Sequence, residues 1–201
     1  MEVATDREDS DMDDGAHGED LEPRIRRLEA LEAIRQLAAR HALATDSRDL
    51  DALVALYVED VITPDGRVGR GALRDWFDTE LRKFGTTFHL LGSHVIDLLD
   101  EDHAQGSAHV RAEYEIEDLW VVAALLHRDS YERRGGRWFL AERESRAFYA
   151  ADLQDHPLRV PGRLRFPGRP PTDRAELPEQ FETWQRFWAR RPGVGQPGGA
   201  A

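Results

Sequence analysis

Apolar residues recur at three- and four-residue spacing through Leu28, Leu31, Ile34, Leu37, Ala38, His41 and Ala44, with arginine and glutamate between them. With Pro23 as a first-turn proline, the spacing predicts a long amphipathic helix that ends near Thr45-Asp46-Ser47. A short second helix is expected over 50–57, with Asp49 as its N-cap. Val61-Ile62-Thr63 reads as a brief strand closed by the turn Pro64-Asp65-Gly66. Residues 69–84 form a third helix that places Leu73, Trp76, Phe77 and Leu81 inward.

Beyond this helix the period changes from helical to alternating. Four strand-like segments follow, 86–99, 103–117, 119–134 and 137–149, separated by Asp100-Glu101-Asp102, a tight join near Asp118 and the hairpin signal Gly135-Gly136. In the second, Ala108, Val110, Ala112, Tyr114 and Ile116 point inward, while His109, Arg111, Glu113, Glu115 and Glu117 face solvent. In the first, Phe88, Leu90, Ile96 and Leu98 make one apolar face and Thr87, His89, Leu91 and Ser93 a more polar one. A face that mixes threonine, histidine and serine with leucine predicts the wall of a cavity. His94 falls opposite His89 unless Gly92 marks a bulge. Helices followed by an antiparallel meander give the α+β class, with the helices covering one side of a strongly bent sheet.

Length and charge set the boundaries. The 201 residues suffice for one well-buried domain with extensions. Residues 1–22 read as a disordered acidic tail, since nine acidic residues face Arg7 alone within the first twenty; 23–155 form the domain, and 156–201 a Pro/Gly-rich extension. Within the extension, Leu177, Phe181, Trp184 and Trp188 lie at helical spacing, which predicts a short helix serving as a lid, a dimer arm or an outer covering. The net charge of −12 argues against nucleic acid or anionic membrane as partner. No apolar run approaches the roughly 20 residues of a membrane helix, and the N-terminus is acidic, so a cytoplasmic protein is expected. The absence of cysteine excludes thiolate chemistry, and no HxH, HExxH or grouped carboxylates suggest a metal.

Several polar residues sit where apolar ones are expected. His127 interrupts the apolar run 121–126 and must find a partner if buried. His41 lies on the apolar helix stripe, as core or cavity lining. Tyr114 projects inward, and Arg143 is expected to pair with neighbours such as Glu142 or Glu144.

The order and spacing of Ala42-Leu43-Ala44-Thr45-Asp46-Ser47-Arg48-Asp49, Asp51-Ala52-Leu53-Val54-Ala55-Leu56-Tyr57, Gly69-Arg70, Thr87-Phe88-His89-Leu90-Leu91-Gly92 and Tyr131-Glu132-Arg133-Arg134-Gly135-Gly136-Arg137-Trp138 resemble the SnoaL-like branch of the nuclear transport factor two-like superfamily. That branch includes polyketide cyclases, scytalone dehydratase, bile-acid dehydratase and hexachlorocyclohexane dehydrochlorinase. The resemblance covers about residues 24–155 and implies a cone-shaped α+β barrel. Its lyases pair an aspartate at the end of the first helix with a histidine on the first long strand, which here are Asp46 and His89. A carboxylate bonded to one ring nitrogen fixes the tautomer and raises the basicity of the other, so the pair can take a proton beside a carbonyl. Tyr114 is similar in position to a second pocket histidine of scytalone dehydratase, His127 to a pocket asparagine, and Arg143 to an arginine of the dehydrochlorinases. These, with His41 and Leu91, would contact substrate. Thr45 replaces that enzyme's tyrosine beside the aspartate, and no tyrosine follows near Thr63-Pro64, so its water-polarising tyrosine pair is missing.

The resemblance implies a cofactor-independent lyase, isomerase or cyclase, dehydratase first, acting on a small, mostly apolar, polyketide-like carbonyl compound. A homodimer or other homo-oligomer is expected. The alternative is a non-catalytic small-molecule-binding or assembly module, including the structural role of an oxygenase small subunit. A filled cavity, or Asp46 and His89 beyond roughly 3.5 Å, would favour the alternative.

Overall fold

A computed structural model describes residues 21–166 and 172–189. Most of the predicted acidic tail lies outside the described residues, and Leu21 and Glu22 already belong to the first helix. The elements run α1 (Leu21–Asp46), α2 (Leu50–Ala55), α3 (Arg70–Leu81), β1 (Thr87–Leu98), β2 (His103–Ile116), β3 (Leu119–Arg134), β4 (Arg137–Asp152), two short 3-10 turns (Pro157–Arg159 and Pro161–Arg163) and α4 (Glu182–Ala189). The four strands form one antiparallel sheet in chain order, β1-β2-β3-β4. It curves around the helices without closing, since β1 and β4 do not pair. Three register shifts, at 91/94 in β1 and at Ala124/Leu125 and Ser130/Tyr131 against β4, add extra residues that bend the sheet.

The helices bury one face against the hollow side of this sheet. Ile34 of α1, Leu53 of α2, Leu73 and Phe77 of α3, and Tyr131 and Leu140 of the sheet form one core. Fully burying an Ile or Leu contributes about 1.5–3 kcal/mol. Val110, Ala112, Tyr114, Val121, Leu125 and Ala150 form a second cluster toward the other end of the sheet. The buried stripe of α1 begins at Ile34, later than predicted: Leu28 is 65% exposed, since no element among the described residues covers the first turns of the helix. α2 carries the predicted cap, with Asp49 accepting from Ala52 N at 2.9 Å. Gly135 and Gly136 turn the last hairpin with φ of 57° and 77°, a left-handed pair that glycine adopts without steric cost.

Two expectations fail, one about the faces of β1 and one about the helix of the extension. Gly92 and Ser93 form a bulge, so Leu91 pairs with Val110 while His94 pairs with Ala108, three residues opposite two. The extra residue turns the second half of β1 over. Thr87, His89 and Leu91 face inward with His94, Ile96 and Leu98, while Phe88 and Leu90 stand outside, 50% and 53% exposed. Phe88 and Leu90 therefore share no face with Ile96 and Leu98, and Ser93 leaves the cavity side. In the extension, Leu177 is not part of a helix. It lies fully buried beside β4, its N–H bonded to Ala147 O at 3.0 Å, with Pro178 following; the helix starts only at Glu182. No helix among the described residues is long and apolar enough to cross a membrane.

Candidate active site

Asp46 is the last residue of α1, and the way that helix stops decides where its carboxylate points. Arg48 takes a left-handed conformation, φ 59°, and the amides of Arg48 and Asp49 bond back to Thr45 O and Ala44 O at 3.2 and 2.9 Å. This is the Schellman ending, with arginine where glycine is usual. The Arg48 side chain then bonds Thr45 O at 2.7 Å, Thr87 Oγ1 at 2.8 Å and Gly85 O at 2.6 Å, which ties the helix end to the start of β1.

Across that junction Asp46 Oδ1 accepts from His89 Nδ1 at 2.7 Å and from Thr87 Oγ1 at 2.9 Å, and Oδ2 accepts from the His89 backbone N–H at 2.8 Å. Arg48 donates to the Thr87 oxygen, so the threonine proton is directed at Asp46. The carboxylate is held at three points, and with Nδ1–H donating to it the neutral imidazole keeps its lone pair on Nε2. The ring forms part of the cavity wall. Ala112 is its partner on β2, small enough to leave room, and the Tyr114 ring meets it edge-on at 5.6 Å.

The cavity between α1, α3 and the sheet measures about 880 Å³, inside the usual range for a small-molecule site. Leu91, Val110, Leu125, Phe77, Trp76 and Phe166 supply its apolar lining. Tyr114 packs against Phe84 at 5.0 Å and Phe166 at 5.2 Å, and its hydroxyl makes no hydrogen bond among the described residues. Burial, and then the charge of Asp46, push its phenol up, so it stays protonated.

His127 faces Ser145 directly across β3 and β4 and bonds its hydroxyl at 2.8 Å. Burial, then the nearby Arg143, pulls this imidazole down to about 3. His41 is likewise held well below its ordinary value by burial, then by Arg143, His127 and His89. Both are neutral near pH 7. His41 Nε2 lies 2.9 Å from Tyr57 Oη, and its Nδ1 lies 3.5 Å from Thr45 Oγ1.

Arg143 does not pair with Glu142 or Glu144, as expected from sequence. Its register partner is Asp129, which it grips with two bonds of 2.8 and 2.7 Å. Burial alone would lower the guanidinium, but Asp129 outweighs it and holds the group above its ordinary value. Tyr131 donates to Asp129 at 2.8 Å, and His94, brought inward by the bulge, meets the Tyr131 hydroxyl at 3.2 Å. Glu144 bonds Arg146 instead.

The sequence pattern did not single out Tyr57, Asp129 or Arg48. Tyr57 sat inside a helical apolar run, and the Asp129 pair required the strand register. Among the described residues no group of three or more His, Asp or Glu side chains is arranged to hold a metal ion.

The sequence profile of the SnoaL-like domain matches residues 26–144, more than half of the chain. No curated protein sequence matches significantly. Among solved structures, a scytalone dehydratase candidate from Novosphingobium aromaticivorans is 23% identical over 66% of this chain and 93% of its own, with a TM-score of 0.58. The hexachlorocyclohexane dehydrochlorinase LinA type 2 is 20% identical over 73% of this chain and 99% of its own, at 0.61. A cystatin-like-fold protein of unknown function from Nostoc punctiforme is 25% identical over 60% and 91%, at 0.51. The profile match, over a bent four-stranded sheet with three helices laid into it, shows that this chain belongs to the SnoaL-like domain family.

Proposed function

We propose that the chain is a cofactor-independent lyase of the dehydratase kind, in which His89 abstracts a proton beside a carbonyl and Asp46 holds the imidazole for that task. The observation that carries this reading is the 2.7 Å bond between His89 Nδ1 and Asp46, made on the wall of an open cavity. Loss of the proton leaves an enolate, and its oxygen needs a donor. Tyr114 offers an uncommitted hydroxyl, while His127 and Arg143, the latter already paired with Asp129, offer further N–H groups. Expulsion of a β-hydroxyl, a double-bond shift and ring closure are three fates of the same enolate. The apolar lining favours a small, largely hydrophobic guest with few polar groups.

The open cavity and bonded pair support catalysis over a purely binding or assembly role. The outward row of Phe88, Leu90 and Val95 supports a homo-oligomer. The mechanism is tested by turnover of a panel of β-hydroxy carbonyl and polyketide-like compounds. His89→Gln is expected to lose about 10²–10⁴-fold in kcat, the usual contribution of a general base, and Asp46→Asn a large part of that. Undiminished turnover by His89→Gln rejects the mechanism.

A further inference from the structure

Elimination of water requires two proton transfers, one from carbon to a base and one to the departing oxygen. His89 accounts for the first only. A hydroxyl group leaves poorly as hydroxide, so a site built for dehydration needs a proton donor facing the same guest from another side.

The described cavity holds one pair arranged for that. Tyr57 follows α2 and is fixed from three directions. Its chain neighbours Leu56 and Val58 bond Leu140 at 2.8 and 2.9 Å, Arg70 Nε donates to its carbonyl at 2.7 Å, and its ring packs against Phe77 at 6.2 Å. Its hydroxyl meets His41 Nε2 at 2.9 Å, and His41 Nδ1 faces Thr45 Oγ1 at 3.5 Å. Thr45, His41, Tyr57 and His89 all line the one cavity. If Thr45 donates to Nδ1, the proton of the neutral His41 sits on Nε2 and is donated to the Tyr57 oxygen. The phenolic proton is then free to point at the guest.

We propose that Tyr57 is the proton donor to the leaving group and that His41 is its positioning residue, an assignment that rests on the reading of His89 as base. In the step, His89 Nε2 takes the proton from carbon, the C–H pair becomes the new C=C bond, and the C–O bond breaks. The departing oxygen takes the Tyr57 proton and leaves as water. The imidazolium and phenolate so formed are neutralised when the released water carries a proton from His89 to Tyr57. Atoms and charge balance without any added reagent. The N–H of His41 stabilises the phenolate while it exists, whereas the charges of Arg143 and its partner Asp129 act on it in opposite directions. Burial, partly offset by Arg143, raises the Tyr57 phenol to about 12, so it carries its proton at neutral pH.

A hydrogen bond that merely satisfied two polar groups would not distinguish between leaving groups, whereas a proton donor must. The test uses the full-length protein and two probes that release the same enone, 3-hydroxy-1-phenylpropan-1-one and 3-chloro-1-phenylpropan-1-one. Chloride needs no proton. Tyr57→Phe is expected to slow the hydroxy probe about 100-fold or more and leave the chloro probe nearly unchanged. His41→Phe should give the same selective loss at smaller size, and it reports independently if Tyr57→Phe fails to fold. Equal slowing of both probes, or of neither, in the folded variants overturns the assignment. His89→Gln separates the two readings: it must slow both probes, and if it slows neither, the base reading falls rather than the donor.

Discussion

At the level of single residues, the cavity depends on side chains kept in one protonation state by what surrounds them. His127 is the clearest case. Its imidazole is neutral in the fold down to about pH 3, while in the unfolded chain it takes a proton near pH 6.5. The folded-state value lies below the unfolded one, so the unfolded state binds more protons as pH falls. The stabilisation is complete above about pH 6.5 and is lost between there and about pH 3, on the order of 4–5 kcal/mol in all by linkage. His41, and to a lesser degree His94, are lowered in the same direction and deepen the loss. Urea midpoints at pH 7.5, 6.0 and 5.0 should fall steadily, and His127→Asn should flatten the fall. A midpoint independent of pH over that range contradicts the assignment.

The same residues show what a sequence conceals. Asp46 and His89 were drawn together by the resemblance of their motifs, and they lie 2.7 Å apart, while their chemical role is the proposal made above. Arg48 carried no signal as a helix terminator, because the left-handed position usually selects glycine. Asp129 was invisible as the partner of Arg143, because only the register of β3 and β4 sets them opposite each other.

Among the elements, periodicity located all three N-terminal helices and four strands in order, and the alternation of β2 gave its faces correctly. Strict alternation fails in β1 at the bulge that Gly92 left open, for a definite reason. Alternation is a parity argument, and one inserted residue reverses parity without changing composition. The bulge brings His94 and Ile96 inward, and the chain makes room for them at Gly106. A Cβ there would lie 3.0 Å from the Tyr131 ring, 3.1 Å from His94 Nε2 and 3.2 Å from Val95 O. Gly106→Val is therefore expected to cost about 1–3 kcal/mol by overpacking, read as a lower urea midpoint. Gly71→Ala, where no atom lies within 4 Å, serves as the control and should not lower it. Equal stability for Gly106→Val and wild type would mean that the Tyr131–His94 contact is not packed as described.

For the molecule as a whole, the described part of the extension after β4 packs onto the sheet. Arg165 N bonds Ala150 O at 2.8 Å, Leu177 is fully buried, and Phe166 reaches the cavity beside Tyr114. Composition alone, rich in proline, glycine and arginine, does not reveal such docking, which depends on where the segment meets the open edge of the sheet. The opposite surface has the reverse character. Phe88, Leu90 and Val95 are half-exposed or more on the outer face of β1, which supports a second copy as their cover. The native chain is expected to run as an oligomer by light scattering, and Phe88→Glu with Leu90→Glu as a folded monomer. An unchanged mass for the double variant would place the interface elsewhere.

Proton removal from carbon beside a carbonyl by His89, held by Asp46, can be followed without any leaving group, through the loss of deuterium from 2,2-dideutero-1-tetralone in ordinary water by NMR. The native chain should accelerate this exchange, and His89→Gln should reduce the acceleration by about 100-fold or more. Exchange at the native rate in His89→Gln, with the fold intact, would contradict it.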